Sequence, residues 1–367
     1  MLAAPDLLDA ASADDLRQAE RLRAVWSPDL VAAAGEQAEL RAHAATKFTR
    51  AADMLLTRAG LEQASGETAA QHRAARFAGA DGMVIDLCCG IGGDLVALSA
   101  VADVTGVDVD EVHAVCARHN AGVYDADAAV VVADVQDVRV HSAAAVFADP
   151  ARRRGDRRGG YAPPLEWCLG MPARRVAVKT APGLDRRLVP SGWETEFVAE
   201  GRDLKEAVLW SPSWATARAR GTVLPAGVSL TADPGTAAAE VRPPGAYLLD
   251  PSPAVTRAGA VADLAAAVGA WQVDARIAFL SADTAAATPF GRWWRVEASL
   301  PFGVKPLAAE LRRLDVGSID IRRRGLAGDV DDLRRRLRPQ GARRATVVIT
   351  RVVDRPWSFV CTAVDPS

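Results

Sequence analysis

The feature that constrains the fold most strongly is a short apolar segment that breaks directly into a glycine-rich turn. Met83–Leu87 is apolar except for Asp86, and Cys88–Gly93 (Cys-Cys-Gly-Ile-Gly-Gly) separates it from a stretch with helical spacing. Further apolar runs alternate with helical stretches, a pattern that predicts a parallel sheet covered by helices on both faces. These runs are Val104–Asp108, Ala129–Asp134, Ala143–Pro150 and Arg175–Lys179. We therefore expect an α/β protein with a Rossmann-like, doubly wound sheet.

The regions on either side of this sheet have different patterns. Apolar residues at helical spacing predict helices over much of residues 12–80. After about residue 290 the order is strand, helix, strand, helix, strand, strand, which is typical of a small α+β layer. Val255–Val268 is predicted to be one helix that follows a linker. The sequence thus predicts four parts: a helical N-terminal region (1–80), the sheet domain (81–240), a linker with a connecting helix (241–289) and a small C-terminal α+β domain (290–367).

The composition excludes several classes of protein. Half of the 367 residues are apolar and a quarter are charged, so the chain can bury a sizeable core and disorder is not expected to dominate. No apolar run approaches the roughly 18 residues of a membrane helix, and the acidic N-terminus lacks the features of a signal peptide. The five cysteines lack Cys-x-x-Cys spacing and the five histidines lack metal-binding spacing. We therefore expect a cytoplasmic protein with no membrane partner, no disulfide framework and no metal.

Basic residues are concentrated in two segments. Arginines make up 40 of the 44 basic residues, a bias typical of GC-rich genomes, so their position is more informative than their number. Residues 1–150 carry 11 basic and 23 acidic groups. Residues 151–190 carry ten basic and three acidic groups, and residues 301–350 carry twelve and six. Two basic segments in a slightly acidic chain indicate an anionic partner that contacts particular surfaces.

The glycine-rich turn predicts a cofactor site. Such a turn after the first strand lets a ligand approach the backbone and directs a helix N-terminus towards it. Asp108 ends the second strand about 20 residues later, where a carboxylate accepts hydrogen bonds from ribose hydroxyls. Leu95 replaces the third glycine of the dinucleotide motif Gly-x-Gly-x-x-Gly. Asp86 would repel a pyrophosphate and attract an ammonium group, which favours S-adenosylmethionine over a dinucleotide.

The order of these motifs resembles that of class I S-adenosylmethionine-dependent methyltransferases. The matching positions are Asp86, Gly90-Ile91-Gly92, Asp108, Asp134 and Asp149-Pro150, each on or directly after a predicted strand. Asp149–Arg153 (Asp-Pro-Ala-Arg-Arg) and Tyr247–Ala254 resemble bacterial methyltransferases that end in a THUMP-like domain, distant relatives of trimethylguanosine synthases. The resemblance spans nearly the whole chain. It implies a methyltransferase sheet, a ferredoxin-like C-terminal domain, S-adenosylmethionine as cofactor and RNA as the substrate class.

The resemblance also implies which residues contact the cofactor. Asp86 is expected to face its ammonium group, Asp108 the ribose and Asp134 the adenine amine. Gln63 lies ahead of the first strand, where related enzymes cover the methionine end; a polar loop residue without a ligand is the alternative. The expected cofactor contacts are Gln63, Asp86, Cys88, Gly90, Gly92, Asp108, Val109, Asp134 and Val135.

Asp149 and Pro150 are the expected catalytic residues. Asp149 would orient the attacking atom or accept its proton, and a structural role in capping the loop is the alternative. Related enzymes carry Asp/Asn-Pro-Pro-aromatic here, whereas this chain has alanine and arginine after Pro150, so Arg152 or Tyr161 would stack on the base. The arginines of the following loop and Lys179 are expected to meet phosphates, although a solvated surface is the alternative. The expected substrate contacts are Arg152, Arg153, Arg154, Arg157, Arg158, Tyr161 and Lys179.

The sequence favours methyl transfer to structured RNA, either rRNA or tRNA. One alternative is a small-molecule methyltransferase whose C-terminal part only covers a sheet edge or forms a dimer. The other is a non-catalytic RNA-binding protein that keeps the cofactor fold. The residue pattern indicates no particular oligomeric state.

Overall fold

The computed structural model describes residue 7, residues 16–152 and residues 160–364. Its helices are α1 (Leu16–Arg23), α2 (Pro28–Ala44), α3 (Arg58–Gln63), α4 (Glu67–Ala74), α5 (Gly93–Ser99), α6 (Glu111–Val123), α7 (Leu165–Leu169), α8 (Pro253–Ala258), α9 (Val261–Val268), α10 (Val304–Arg313) and α11 (Val330–Leu337). Over the described residues, no helix has the length and apolar character needed to span a membrane.

The strands are β1 (Val84–Leu87), β2 (Val104–Asp108), β3 (Ala128–Val132), β4 (Ala145–Ala148), β5 (Ala151–Arg152), β6 (Tyr161–Ala162), β7 (Val176–Thr180), β8 (Glu194–Glu200), β9 (Asp203–Trp210), β10 (Ala219–Leu224), β11 (Val228–Thr231), β12 (Tyr247–Pro251), β13 (Trp271–Gln272), β14 (Leu280–Ala282), β15 (Gly291–Pro301), β16 (Val316–Arg323), β17 (Arg343–Val352) and β18 (Arg355–Ala363). The chain divides into two compact units. The first comprises Met1–Trp193 with Ala207–Ala215, and the second comprises Glu194–Glu206 with Thr216–Ser367.

The first unit is built on a sheet with the strand order β3-β2-β1-β4-β7-β9. All pairs are parallel except β7 with β9, which is antiparallel. Alternate residues of β4 enter different cores: Ala145 and Phe147 pack in one, and Val146 and Ala148 pack in the other. The sheet is therefore buried on both faces, which confirms the predicted α/β architecture. From β1 the chain first adds strands on one side of the sheet (β2 and β3) and then on the other side (β4 and β7). Ligands bind at such a switch point, here between β1 and β4, beyond the carboxyl ends of the strands.

The N-terminal helices support the glycine-rich turn. Phe48 and Leu55, from the segment between α2 and α3, pack in one core with Ile91 of the turn. The Asn120 side chain of α6 accepts a hydrogen bond from the Leu55 N–H at 2.8 Å. Its amide donates to the carbonyl oxygens of Leu55 at 2.9 Å and Ile91 at 2.8 Å. One buried amide therefore fixes the turn against the N-terminal region.

The second unit contains two groups of strands. The first is ordered β11-β10-β8-β9, and β9 continues into the first unit. The second is a sheet ordered β13-β14-β12-β15-β18-β17-β16. Helices α10 and α11 cover one face of this sheet through Leu307, Leu311 and Leu333, while Phe279 and Trp294 pack on the other. The C-terminal α+β layer is present, as predicted.

Two parts of the second unit differ from the sequence expectation. The helix predicted over Val255–Val268 is two helices, because Gly259 ends α8 in the left-handed region with φ 84°. Residues 241–289, predicted to be a linker with a connecting helix, also contain β12, β13 and β14. These strands are five, two and three residues long, too short to produce a clear alternating pattern.

Candidate cofactor and active site

The glycine-rich turn joins β1 to α5 at the carboxyl edge of the first unit's sheet. Gly90 and Gly92 have φ of 54° and 87°, which side chains rarely adopt. A Cβ on Gly92 would lie 3.1 Å from Ala117 Cα, so the turn approaches α6 closely. The Gly90 N–H donates to Asp108 Oδ2 at 2.8 Å, and the Asp110 N–H donates to Asp108 Oδ1 at 2.9 Å. Asp108 therefore ties the turn to the end of β2.

Asp86 of β1 is a fully buried carboxylate. Among the residues that the structure describes, no group donates a hydrogen bond to either of its oxygens. Burial raises the pKa of Asp86 well above its ordinary value, and the Asp94 and Asp149 carboxylates raise it further. Burying a charged group without a partner is costly, so this position is suited to a ligand that brings a donor or a positive charge.

A buried ion pair stands beside Asp86. Arg73 of α4 and Asp94 of α5 are 2% and 8% exposed, and the Arg73 Nε donates to Asp94 Oδ1 at 3.0 Å. The Arg73 guanidinium also lies 5.4 Å from the centre of the Phe147 ring. Its positive charge opposes the rise in the pKa of Asp86. The pair holds α4 against α5 and places a positive and a negative charge beside Asp86, which act on its pKa in opposite directions.

Asp149 follows β4 at the same edge of the sheet. Its N–H donates to the Leu87 carbonyl oxygen at 3.1 Å, which fixes it beside the end of β1. Its carboxylate forms an ion pair with the Lys179 ammonium of β7. Burial raises the pKa of Asp149, and the Lys179 ammonium acts in the opposite direction.

A cavity of about 250 Å³ lies at this edge. The predicted residues that line it are Gln63, Asp86, Cys88, Gly90, Asp108, Val109 and Asp149. The fold thus brings together residues from α3, β1, the turn, β2 and the segment after β4. Burial raises the pKa of the Cys88 thiol, so this side chain lines the cavity as a neutral group.

Four of the residues predicted to contact the cofactor or to be catalytic do not line this cavity. Gly92 lines a separate cavity of about 490 Å³ in the same unit. Asp134 is exposed, and its carboxylate accepts a hydrogen bond from the Gln136 N–H at 2.9 Å. Val135 and Pro150 are buried. The cofactor contacts of Asp134 and Val135 and the catalytic role of Pro150 stay predictions.

The predicted substrate residues differ in their exposure and in their contacts within the protein. Arg152 is exposed on β5, opposite Tyr161 of β6. Tyr161 is 8% exposed, and its hydroxyl accepts a hydrogen bond from the Ala181 N–H at 2.9 Å, so little of its ring is available for stacking. Lys179 contacts Asp149. Arg153, Arg154, Arg157 and Arg158 lie outside the described residues.

Comparison with known proteins identifies the family. Two uncharacterized S-adenosylmethionine-dependent methyltransferases of Mycobacterium tuberculosis, from strains CDC 1551 and H37Rv, are each 38% identical to this chain over 326 residues. The match covers 84% of this chain and 88% of each relative. This chain belongs to the S-adenosylmethionine-dependent methyltransferases.

Two further comparisons agree with this assignment. Residues 81–152 of the methyltransferase match the family model of RNA cap guanine-N2 methyltransferase, and residues 291–363 match that of THUMP domain-like proteins. A crystal structure from Porphyromonas gingivalis W83, described as that of a methyltransferase, is 22% identical with a TM-score of 0.74. The match covers 92% of this chain and 91% of the Porphyromonas gingivalis chain, and the two have the same fold.

The cavity of the methyltransferase fits S-adenosylmethionine chemically. The cofactor carries an ammonium group, and the buried oxygens of Asp86 have no donor among the described residues. It also carries ribose hydroxyls, and each oxygen of Asp108 accepts a single backbone hydrogen bond, which leaves it able to accept another. Asp86 would therefore hold the methionine end of the ligand, and Asp108 would hold the ribose in its middle.

The methyltransferase cavity also contains residues that the sequence analysis did not identify: Gly60, Ala64, Asp94, Asp110 and His113. His113 Nε2 lies 3.1 Å from Thr57 Oγ1. Its position in the first turn of α6, just after Asp108, was a usable signal, because helices after such strands begin at the cofactor edge. The contact of Arg73 with Asp94 had no local signal, since 20 residues separate the two along the chain.

Proposed function

We propose that this methyltransferase methylates a nucleotide of structured RNA, such as rRNA or tRNA. The observation that carries the proposal is that one chain matches two RNA-related models. The region matching RNA cap guanine-N2 methyltransferase contains Asp86, Asp108 and Asp149, and the THUMP domain-like match covers residues 291–363. The basic segments, residues 151–190 and 301–350, supply charge suited to phosphates.

The binding roles follow from the chemistry of the cavity. When bound, S-adenosylmethionine supplies an electrophilic methyl group on a positively charged sulfur. We infer that Asp86 binds the ammonium group and that Asp108 accepts hydrogen bonds from the ribose. Gln63 and Val109 line the same cavity and would complete the contacts. Since Asp108 also accepts from the Gly90 N–H, it couples cofactor binding to the shape of the turn.

Asp149 is the proposed catalytic residue, because it reaches the same cavity from the neighbouring strand end. It would orient the attacking nitrogen or oxygen of the nucleotide about 3 Å from the methyl carbon. The cofactor would supply the methyl carbon to this atom and would keep the electron pair of the broken carbon–sulfur bond on its sulfur. The proton of the attacking atom passes to Asp149 or to water. Lys179 is a positioning residue that stabilises the ionised form of Asp149.

Arg152 is the proposed contact for the target base. Ala151 lines the cavity, and Arg152 is the next residue on the same strand and is exposed. A guanidinium plane can stack on an unpaired base where related enzymes place an aromatic ring. The packed ring of Tyr161 favours Arg152 over Tyr161 for this role.

Mass spectrometry of modified nucleosides tests the proposed function. Total RNA would be compared from cells with the gene, cells without it, and gene-deleted cells that carry either the wild-type protein or Asp149→Ala. We expect one methylated nucleoside to disappear on deletion and to return only with the wild-type protein.

An assay with purified protein separates the proposal from its alternatives. Labelled S-adenosylmethionine would be mixed with RNA from the gene-deleted cells, with and without ribonuclease treatment. Label that enters RNA only when the RNA is intact supports the proposal. If label is transferred in an extract of the gene-deleted cells and ribonuclease does not reduce this transfer, the substrate is a small molecule. Salt-dependent RNA binding without transfer indicates a non-catalytic RNA-binding protein.

A further inference from the structure

A cavity of about 270 Å³ in the second unit is lined by several arginines. Arg202 lies between β8 and β9, and Arg292 lies at the start of β15. Arg322 lies at the end of β16, and Arg324 directly follows that strand. Among the described residues of the lining, Asp250 of β12 is the only acidic side chain. Four arginines from three separate segments of the chain therefore line the same cavity as one aspartate.

Only one of these arginines pairs with Asp250. Arg324 forms an ion pair with Asp250 at 2.7 Å, and its guanidinium also lies 5.2 Å from the centre of the Phe279 ring. Within the described part of the chain, no acidic side chain forms an ion pair with Arg202, Arg292 or Arg322. Four positive charges against one negative charge leave an excess of three. Like charges around one cavity repel each other, and a bound anion removes this cost.

The rest of the lining indicates the chemistry of the anion. It contains glycine and proline rather than large apolar side chains: Gly201, Gly291, Pro251, Pro253 and Pro289. A ligand held here would be recognised through charge and hydrogen bonds. Guanidinium groups donate paired hydrogen bonds to phosphate oxygens, and several of them around one cavity match the several oxygens of phosphate.

We infer that this pocket binds phosphate groups and that these belong to the backbone of the RNA substrate. The assignment to RNA rests on the proposed function, whereas the phosphate chemistry rests on the pocket alone. The pocket would hold the RNA at residues other than those that carry the methyl-transfer chemistry. An enzyme that presents a single nucleotide for reaction needs such a second point of attachment.

The test compares the wild-type chain with two double variants that lose the same charge. Arg292→Ser/Arg322→Ser removes two arginines that line the pocket and do not belong to a packed core. Arg312→Ser/Arg355→Ser is the control, since both residues are exposed in the same unit and do not line the pocket. One probe is a fluorescein-labelled single-stranded RNA oligonucleotide, whose binding is measured by anisotropy at several salt concentrations. The other is sodium pyrophosphate, whose effect is measured as a shift in melting temperature.

We expect the pocket variant to bind the RNA more weakly and with less dependence on salt. The slope of log K against log salt concentration should become shallower by about 0.7 for each phosphate group that the variant no longer binds. The control should keep the wild-type slope. Pyrophosphate should raise the melting temperature of the wild type and the control, and this rise should be absent in the pocket variant.

Other outcomes overturn the inference in distinguishable ways. If both double variants change the slope equally and pyrophosphate stabilises all three proteins alike, the pocket is not a phosphate site, even where RNA methylation is observed. If the pyrophosphate effect depends on the pocket but RNA binding does not, the ligand is a free phosphate compound and the assignment to RNA is wrong. If both probes depend on the pocket while no methylation occurs, the pocket stands and the proposed function fails.

Discussion

Asp149 and Lys179 form an ion pair that joins the carboxyl ends of two neighbouring parallel strands, β4 and β7. The Lys179 side chain is 11% exposed and that of Asp149 is 26% exposed, so the pair lies at the edge of the buried sheet and next to the cofactor cavity. Burial raises the pKa of Asp149 and the ammonium opposes that rise. Lys179 thus favours the ionised form of Asp149, the side chain that we propose contacts the attacking atom.

Replacing Lys179 by methionine should move the acid limb of the pH–rate profile to higher pH. A proton-accepting Asp149 must be ionised, so activity falls as the pH drops through its pKa. Without the ammonium that pKa is higher, and activity is lost at a less acidic pH. The measurement is the initial rate of methyl transfer against pH, with RNA from gene-deleted cells. Lys179→Arg keeps the charge and should restore most of the wild-type profile; an unshifted limb in Lys179→Met would contradict the role.

The conservative change Asp108→Asn should weaken cofactor binding. It removes the charge but keeps one acceptor for the Gly90 or Asp110 N–H, so the turn can still be held. The loss of charge-assisted hydrogen bonds to the ribose should cost about 1.5–3 kcal/mol, or roughly 10- to 150-fold in Kd. Calorimetry with S-adenosylmethionine measures the affinity, and Asp137→Asn at an exposed position is the control. Equal affinities in folded wild type and Asp108→Asn would remove Asp108 from the site.

Gly92→Ala should destabilise the protein through two separate effects. The positive φ of 87° costs about 1–2 kcal/mol for a residue with a Cβ. The new methyl group would also lie 3.1 Å from Ala117 Cα. Gly79→Ala is a matched control, because Gly79 has φ 76° but open space around its Cβ position. Urea unfolding should therefore give a larger loss of stability for Gly92→Ala, and equal losses would show that the turn does not pack tightly against α6.

The parts of the fold that depend on local pattern were predictable from the sequence. The apolar runs from Met83 to Lys179 correspond to β1, β2, β3, β4 and β7, because a strand buried on both faces requires continuous apolar residues. The short strands β12–β14 were not predicted, since they depend on pairing with neighbouring strands and not on their own composition: β12 pairs with long β15, β14 with β12, and β13 with β14. Gly259 splits a predicted helix because a single left-handed residue interrupts an otherwise uniform apolar periodicity.

The candidate site was predictable where a residue ends a strand or directly follows one. Asp108 ends β2 and Asp149 follows β4, and both line the cavity. Contacts between segments that are distant along the chain could not be predicted from a position at a strand end. The sequence predicts that Lys179 meets a phosphate, whereas its ammonium pairs with Asp149, 30 residues earlier. Asp134 lies two residues after β3, and its carboxylate caps the short helical turn Val135–Asp137, because Asp side chains readily bond backbone N–H groups two residues ahead.

Asp86→Asn should stabilise the cofactor-free protein at neutral pH while it weakens cofactor binding. The folded-state pKa of Asp86 is raised well above its unfolded value, so the folded state binds more protons between those two values. The unfolding free energy therefore decreases as pH rises through this range, because Asp86 must ionise without a hydrogen-bond donor from the described chain. Asparagine does not ionise, so the variant should melt at a higher temperature than the wild type at pH 7. The difference should disappear below about pH 4, where the carboxyl is protonated in both states.

Melting curves across this pH range provide the measurement, with Asp81→Asn at an exposed position as the control. If Asp86→Asn lowered the melting temperature at neutral pH and left cofactor affinity unchanged, Asp86 would serve the folded chain and not the ammonium group of the ligand.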